Sequence, residues 1–584
     1  MAVDTALREE QVRLAEELLF SGKKLPSFAK ALYAGIFDAQ RVFPFPQPDA
    51  AQQATLDTYL KDLNAFLDTH LDPDWIDRQA DIPEQVIRGL GALGLLSCTI
   101  DKRYGGLEFS QIMYCKAVEQ VARRCGSTAL FINAHQSIGM KALLLYGTEA
   151  QKERWLTRLA KGECLAAFAL TEENAGSDAA GIETRAVFDA QKNVWIINGR
   201  KQWITNGGIA EILTVMARTE IEGKDKITAF LVTPDLPGFK VTDVSLEKVG
   251  MRGSKTAKLE FENMEVPREN VLGPLGRGLH VALHVLDFGR TTFGSACTGA
   301  ARYCVERATE HARTRFQFKQ PIGKFELVKE KIARMAAYTY AMDAMTQLTA
   351  GLVDRGEEDY MLETAILKVF ASDHQWQILF DTMQIFGGRS FFTDEPFERM
   401  MRDARLNTIG EGSNDVLRAF IGLVGMRDVG MKFKDVADHL KSPTLGLGKL
   451  IGLGKDSLRK FFVTPEIPVH RPELKQEARA LGERVRNFGL AIQKLIVHHK
   501  ENIMDRQLEL NRIAEAAMNL YAATAVLSKL ETELQQDRKM GEGLAVGKYF
   551  CVLAFDTIDR ELAAIVHNNR DKETLRTAET LLGL

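Results

Sequence analysis

The sequence predicts a mainly helical α+β chain in which an antiparallel β domain is set between two helical parts and a further helical domain is appended at the end. Three observations carry this. Up to about Gly162, apolar residues recur three and four apart, as in Pro83 to Gly94. From Glu163 to about residue 275 the period changes to short β-branched or aromatic runs divided by Gly, Asn, Asp or Pro. Helical spacing then returns and, after one Gly- and Lys-rich interruption, continues to the end. With 584 residues, 45% of them hydrophobic, there is ample material for more than one core. The boundaries are drawn as an N-terminal helical domain, 1–162; a middle β domain, 163–275; a helical bundle, 276–430; a Gly/Lys-rich segment, 431–468; and a C-terminal helical domain, 469–584.

Near the N-terminus, Ser27 to Pro46 is rich in prolines and aromatics and is expected to lie along the surface of another part of the protein. The strand candidates are Cys164 to Leu170, Asn193 to Asn198, Glu211 to Met216, Lys226 to Val232 and Ala257 to Phe261. They are about a dozen residues apart with no helices between them, which points to an antiparallel sandwich or barrel rather than a βαβ sheet. After Pro267 the long periodic stretches Gly299 to Arg313 and Phe325 to Leu352 read as helices. Between Met431 and Pro468, basic residues such as Lys449, Lys455 and Arg459 mix with glycines and leucines. That composition suits a membrane-surface segment or a flexible linker equally. Gly448 to Gly454 is one residue too long for a phosphate loop, and Asp456 replaces the hydroxyl after the lysine. Ala478 to Leu495 and Arg512 to Leu530 are amphipathic helices of the last domain.

The net charge of -3 gives no electrostatic case for a nucleic-acid partner. Seven scattered cysteines without a CxxC pair argue against a disulfide framework or a zinc site and favour a reducing compartment. The N-terminus resembles neither a secretory signal nor an acid-poor transit peptide, and no apolar run is long enough to span a bilayer. The expected location is the cytoplasm, or an organelle matrix without its targeting peptide, with possible peripheral contact to a membrane.

The stretch from Ile409 to Arg418 carries the clearest chemical signal. Glu411 stands between Gly410 and Gly412 where a loop opens into a helix, with Ser413, Asn414 and Asp415 as N-cap types. Such a carboxylate can act as a general base or merely cap the helix. Leu170 and Thr171 leave one strand into a hydroxyl-rich turn containing Ser177. Trp203 and Thr205 lie two apart on a second strand, hence on one side. An aromatic wall with hydroxyl and backbone donors suits a planar ring with polar edges, though each piece alone could be an ordinary strand end.

Taken together, Cys164 to Asp178, Lys201 to Gly208, Gly250 to Ser254, Asp287 to Arg290, Arg315 to Phe318, Gln384 to Gly388 and the Glu411 stretch resemble, in order and rough spacing, the acyl-CoA dehydrogenase family. Ser27 to Pro46, Ala134 to Gly139 and the C-terminal helices are similar to its very-long-chain members. The resemblance implies bound FAD and the α,β-dehydrogenation of a long-chain acyl-CoA to its trans-2-enoyl form, the first step of fatty acid β-oxidation. In the family a glutamate removes the α-proton while the β-hydride passes to the flavin, and Glu411 matches that base. Arg290 matches a residue beside it. Some relatives carry the base one residue before that arginine, where this chain has Gly289.

By the same resemblance Leu170, Thr171, Trp203 and Thr205 hold the flavin ring, and Ser177 contacts a flavin or CoA phosphate. Arg315, Gln317, Phe318, Gln384, Gly387 and Gly388 reach the FAD pyrophosphate and adenosine from a neighbouring subunit, so a homodimer is implied. Ser413 and Asp415 join the cofactor site; Asp287, Arg290 and Gly412 join the substrate site. Ser413 replaces the family threonine and keeps its hydroxyl. No metal is implied. The implied electron acceptor is an electron-transfer flavoprotein. Gly126, Ser127 and Ala129 are small, as in long-chain relatives, but Phe131 and Asn133 are larger than some counterparts and would shorten the acyl tunnel if they face it. An acyl-CoA oxidase and a respiratory-complex assembly or scaffold protein are the alternative functions.

Overall fold

The structure is a computed structural model that describes residues 27–440, 463–536, 541–568 and 570–584. It forms two compact units. One comprises residues 48–304 and 375–411; the other comprises 27–47, 305–374 and the described residues from 412 onward.

The first unit opens with the helices Ala50–His70, Pro73–Gln79, Glu84–Ala92, Gln111–Ala122 and Gly126–Ile132. Asp49 starts the first with a reciprocal pair of bonds: its carboxylate accepts from Gln52 N at 2.8 Å, while Gln52 Oε1 accepts from Asp49 N at 3.1 Å. Ser110 caps Gln111–Ala122 through Met113 N. The periodic apolar positions Leu63, Leu67, Val86, Leu90, Val118 and Val121 meet in one buried cluster. The chain then widens into a π-helical stretch, Asn133–Met140. Buried His135 within it accepts Ala166 N at 3.0 Å through Nδ1, and burial lowers the pKa of its ring to about 4, so it serves as a neutral acceptor tying this turn to the sheet.

The sheet has eight strands: β1 (Ala166–Ala169), β2 (Arg185–Asp189), β3 (Val194–Thr205), β4 (Ile212–Ile221), β5 (Lys224–Val232), β6 (Phe239–Asp243), β7 (Thr256–Pro267) and β8 (Val271–Leu272). Their order is β6-β7-β3-β2-β4-β5-β8, with β1 pairing β4 off this path. The fold class is the expected one, but the sheet is mixed rather than wholly antiparallel. β1 and β2 each pair with β4 in parallel, Ala166 opposite Ile212 and Arg185 opposite Arg218. The β2–β3 hairpin between β1 and β4 supplies the crossover that a parallel pair needs. β4 is accordingly buried along most of its length. β2, β6 and β8 escaped the sequence reading because they are short and the first two are largely exposed or half-buried, which breaks the apolar alternation.

In the second unit the helix Gln507–Gln535 is the axis, with Leu510, Ile513, Leu520, Leu527 and Leu530 all buried. Around it stand Glu326–Asp354, Asn414–Leu440, Lys475–His499 and Gly541–Val566. The Ser27 to Pro46 segment, expected to lie along the surface of another part, belongs to this unit: Ser27 to Gly35, Val42, Phe45 and Pro46 are buried, while Ile36, Gln40 and Pro44 stay exposed. Tyr33 donates to Ile421 O at 2.8 Å and packs edge-on against Phe488, its ring filling space that a β-carbon at Gly425 would occupy. Helix Asn414–Leu440 continues ten residues past the boundary drawn at 430. The Gly/Lys-rich stretches Ser442 to Lys455 and Ser457 to Phe462 lie outside the described residues. No described helix is long and apolar enough to cross a membrane, and all seven cysteines are buried.

Candidate active site

Glu411 is the last residue of the first unit, four positions after the helix Phe397–Asn407. Its backbone is left-handed, φ +58°, a conformation that costs a residue with a β-carbon on the order of 1–2 kcal/mol. The surroundings fix it there. Asn133, at the start of the π-helical stretch, donates Nδ2 to Glu411 Oε1 at 2.6 Å. Arg290 donates Nε to the Glu411 carbonyl at 3.4 Å and pairs through Nη1 with Asp287 at 3.3 Å, both side chains buried on helix Gly278–Thr314. Gly289, on the same helix, stands directly beside the carboxylate. Three of the expected site residues, Glu411, Arg290 and Asp287, are therefore joined, and the π-helical turn delivers a fourth, Asn133, that was expected only as a tunnel-narrowing side chain.

In the second unit, Gly412 has φ +95°. Buried Lys368 donates to Gly412 O and to Asn414 Oδ1, each at 2.7 Å. Asn414 Nδ2 in turn donates to Ser372 Oγ and Asp373 Oδ1. Ser413 O accepts Leu417 N at 2.9 Å, which starts the helix, and Asp415 lies in its first turn. Lys368 was missed by the sequence reading; its only signal is a lysine inside an otherwise apolar helical face.

The second group of expected residues gathers at the sheet. Trp203 occupies a bulge in β3, between Gln202 and Ile204 in the pairing with β7, and has φ +58°. The bulge turns its indole out of the sheet, 57% exposed. Gln202 N donates to Thr171 O at 3.0 Å, which puts Leu170 and Thr171 beside it. Below them Lys201, fully buried, donates Nζ to Leu170 O at 2.9 Å and to Glu172 Oε1 at 2.6 Å. Burial pushes the Glu172 carboxyl up, but the Lys201 ammonium and the N–H groups of Thr184 and Glu183 outweigh it and hold the pKa below the usual carboxylate range. Lys201 and Glu172 are further residues that sequence reasoning missed, and they fix the main chain at Leu170. Thr205 is half-buried two residues beyond Trp203, and Ser177 is exposed in the following turn.

The remaining expected residues are on exposed backbone. Arg315, Gln317 and Phe318 sit on the small hairpin formed by β9 (Phe316–Gln317) and β10 (Gln320–Pro321) of the second unit, with Phe318 87% exposed. Gln384, Gly387 and Gly388 are exposed in the first unit, and β-carbons at either glycine would meet nothing within 4 Å. In the first unit an outward indole beside hydroxyl and main-chain groups fits the FAD ring, and the open backbone of Gly387 and Gly388 offers N–H groups suited to its phosphates; in the second unit the exposed Arg315 guanidinium is a group type that pairs with phosphate.

Next to Asn133, a cleft of about 570 Å³, counting the space open to solvent at its mouth, lies within the first unit. Ala129, Asn133, Phe293, Ala296, Asp403 and Asn407 are among its walls. Of the two bulky residues expected to narrow a tunnel, only Asn133 lines it. Phe131 is buried in the N-terminal core, where its carbonyl accepts Asn206 Nδ2 at 3.2 Å.

Comparison with known proteins adds four family models along the chain. Residues 54–163 match the N-terminal domain of acyl-CoA dehydrogenases, 167–264 the middle domain and 276–425 the C-terminal domain; residues 472–581 match the ACAD9/ACADV C-terminal domain. The human very long-chain specific mitochondrial acyl-CoA dehydrogenase is 34% identical over 95% of this chain and 86% of its own. A probable acyl-CoA dehydrogenase, FadE10, of Mycobacterium tuberculosis is 32% identical over 100% of this chain and 92% of its own. A crystal structure of an acyl-CoA dehydrogenase complexed with FAD from Bacillus anthracis superimposes with a TM-score of 0.79 at 28% identity, covering 94% of each chain.

Proposed function

Because this chain belongs to the acyl-CoA dehydrogenase family, we propose that Glu411 is the base that removes the α-proton of a long-chain acyl-CoA thioester. The protein is an FAD-dependent oxidoreductase of fatty acid metabolism. The observation that supports the role of Glu411 is its carboxylate, bonded by Asn133, which itself lines a cleft, while Arg290 and Asp287 fix its main chain.

When bound, FAD supplies the acceptor for the β-hydride. The residues of this chain do the rest. Glu411 takes the proton from the α-carbon, a task for which a placed base contributes roughly 10²–10⁴-fold. Arg290 and Asp287, buried as an ion pair, keep the left-handed loop from relaxing. Leu170 and Thr171 present main-chain groups beside the Trp203 indole, and the Lys201–Glu172 pair keeps them there. Arg315, Gln317, Phe318, Gln384, Gly387 and Gly388 bind the dinucleotide from a second subunit; their exposure on each unit supports a homodimer, checked by sedimentation equilibrium. Ser177, Ser413 and Asp415 complete the cofactor site, and Gly412 the substrate site. Electrons pass to an electron-transfer flavoprotein. Residues 442–462 give peripheral membrane contact, and liposome binding unchanged after their deletion refutes that assignment.

The central test is anaerobic mixing of the yellow protein with hexadecanoyl-CoA. The flavin bleaches in the native enzyme. Glu411→Gln retains flavin and loses bleaching; a variant that still bleaches at the native rate overturns the assignment.

A further inference from the structure

The cleft beside Glu411 is not lined as a passage for a plain hydrocarbon would be. Its apolar lining includes Ala129, Leu130, Phe293 and Ala296, but Asn133, one turn beyond Ala129, and Asn407, at the end of helix Phe397–Asn407, line it too. Both asparagines are nine-tenths or more buried, 3% and 4% exposed. The amide of each is oriented by what its nitrogen does. Asn133 Nδ2 donates to the Glu411 carboxylate, which can only accept when ionised, so Asn133 presents its carbonyl elsewhere. Asn407 Nδ2 donates to Gln375 Oε1 at 2.7 Å and faces Cys297 Sγ at 3.7 Å, which leaves its carbonyl as the remaining group. Neither Asn133 Oδ1 nor Asn407 Oδ1 meets a donor among the described residues. Asn133 and Asn407 line the cleft and each holds a buried acceptor without a partner, one of them on the side chain that bonds the base, and a ligand carrying a hydroxyl is what would satisfy them. A methylene chain would leave both without a partner, and a site built around such acceptors rejects the analogue that lacks the donor.

Resting on the reading of Glu411 as the base, we infer that the preferred substrate is a hydroxylated acyl-CoA, with the hydroxyl a few carbons beyond the reacting bond and received by Asn133 and Asn407. Asn133 touches the carboxylate that reaches the α-carbon, and Asn407 lies four residues before Glu411. The acyl chain entering the cleft thus meets its first acceptor within a few carbons. A terminal carboxylate is the competing polar group, because Arg123, Arg124 and Arg399 also line the cleft. Arg399 is paired with Asp74 and Arg124 with Asp68, and Asp403 adds a buried carboxyl to the same wall, so two of these guanidinium groups already have carboxylate partners.

The test compares hexadecanoyl-CoA with hexadecanoyl-CoAs bearing one hydroxyl at carbon 4, 5, 6, 7 or 8, and with the ω-carboxy counterpart, by anaerobic flavin reduction and kcat/KM. At least one hydroxylated chain is expected to exceed the plain chain by roughly tenfold or more. In Asn133→Ala and Asn407→Leu, the ratio of hydroxylated to plain turnover on the same protein falls toward one. Because the ratio is internal to each variant, a general loss of activity or flavin leaves it unmoved. A native ratio of one or less, a best rate with the ω-carboxy chain, or variants whose ratio is unchanged overturns the inference. Bleaching by the plain chain in those cases leaves the dehydrogenase reading standing, whereas no bleaching by any of the compounds overturns both.

Discussion

Gly289 lies against Glu411 so closely that a β-carbon built on the glycine would stand 2.7 Å from the carboxylate Oε2 and 3.0 Å from Ile138 Cγ1. Position 289 is mid-helix, where alanine normally stabilises by about 1 kcal/mol over glycine. Here that gain is opposed by contact with the carboxylate. Gly289→Ala is therefore expected to keep its flavin and shift the melting temperature little, while kcat falls about tenfold or more as the carboxylate is displaced. Native turnover in that variant would show that the carboxylate has room to move and that the glycine is incidental.

The left-handed backbone at Glu411 sets function against stability at a single position. Glycine adopts φ near +58° without the β-carbon penalty, whereas glutamine retains it. Both substitutions remove the base, so Glu411→Gly and Glu411→Gln should be equally inactive. Glu411→Gly is expected to be the more stable of the two by about 0.5–1 kcal/mol in denaturant unfolding, although it also loses the bond from Asn133. A lower midpoint for the glycine variant would mean that the Asn133 contact outweighs the strain.

The platform under Trp203 depends on a buried ion pair. Lys201→Met leaves the Glu172 carboxylate buried without its cation and the Leu170 carbonyl without its donor, a change that typically costs about 3–5 kcal/mol. The expected outcome is a lower melting temperature together with reduced flavin content on purification. Adding Glu172→Gln removes the unpaired charge and should recover part of the stability, though not the grip on Leu170. If flavin content in the double variant returns fully to native, the pair supports the fold without positioning the cofactor.

How much of this was legible beforehand follows from what short-range pattern can report. The order of helices, strands and helices is a matter of period, and Leu63, Leu67, Val118 and Val121 are buried as their spacing predicts. Glu411 was readable because glycines and cap residues surround it in the chain itself. Asn133 was noted only for its size: its partner is 278 residues away, and nothing local distinguishes a carboxylate ligand from an obstruction. The parallel pairing of β1 and β2 with β4 was hidden for the same reason, since spacing along the chain does not state which strands become neighbours. Lys201 looked like part of a strand end, and only burial beside Glu172 reveals it as a clamp. Tyr33 likewise needed a glycine 392 positions along before its ring could be seen as buried.

Glu363 supplies a pH dependence of stability. Its side chain is fully buried in the second unit and accepts Ala29 N at 2.8 Å; burial, with Asp359 nearby, pushes its pKa from 4.5 up to about 7. A carboxyl whose pKa is higher in the folded protein holds its proton more tightly there than in the unfolded chain. Its contribution is fully present below about pH 4.5, declines as pH rises through the interval to about 7, and is gone above it. The size over that interval is about 3 kcal/mol. Glu363→Gln keeps an oxygen to accept Ala29 N and cannot ionise. In urea unfolding followed from pH 5 to 8, the native protein should lose stability relative to the variant, the gap widening up to about pH 7 and then levelling. A constant gap across that range would show that the carboxyl is already ionised in the folded state at pH 5 and that burial does not hold its proton.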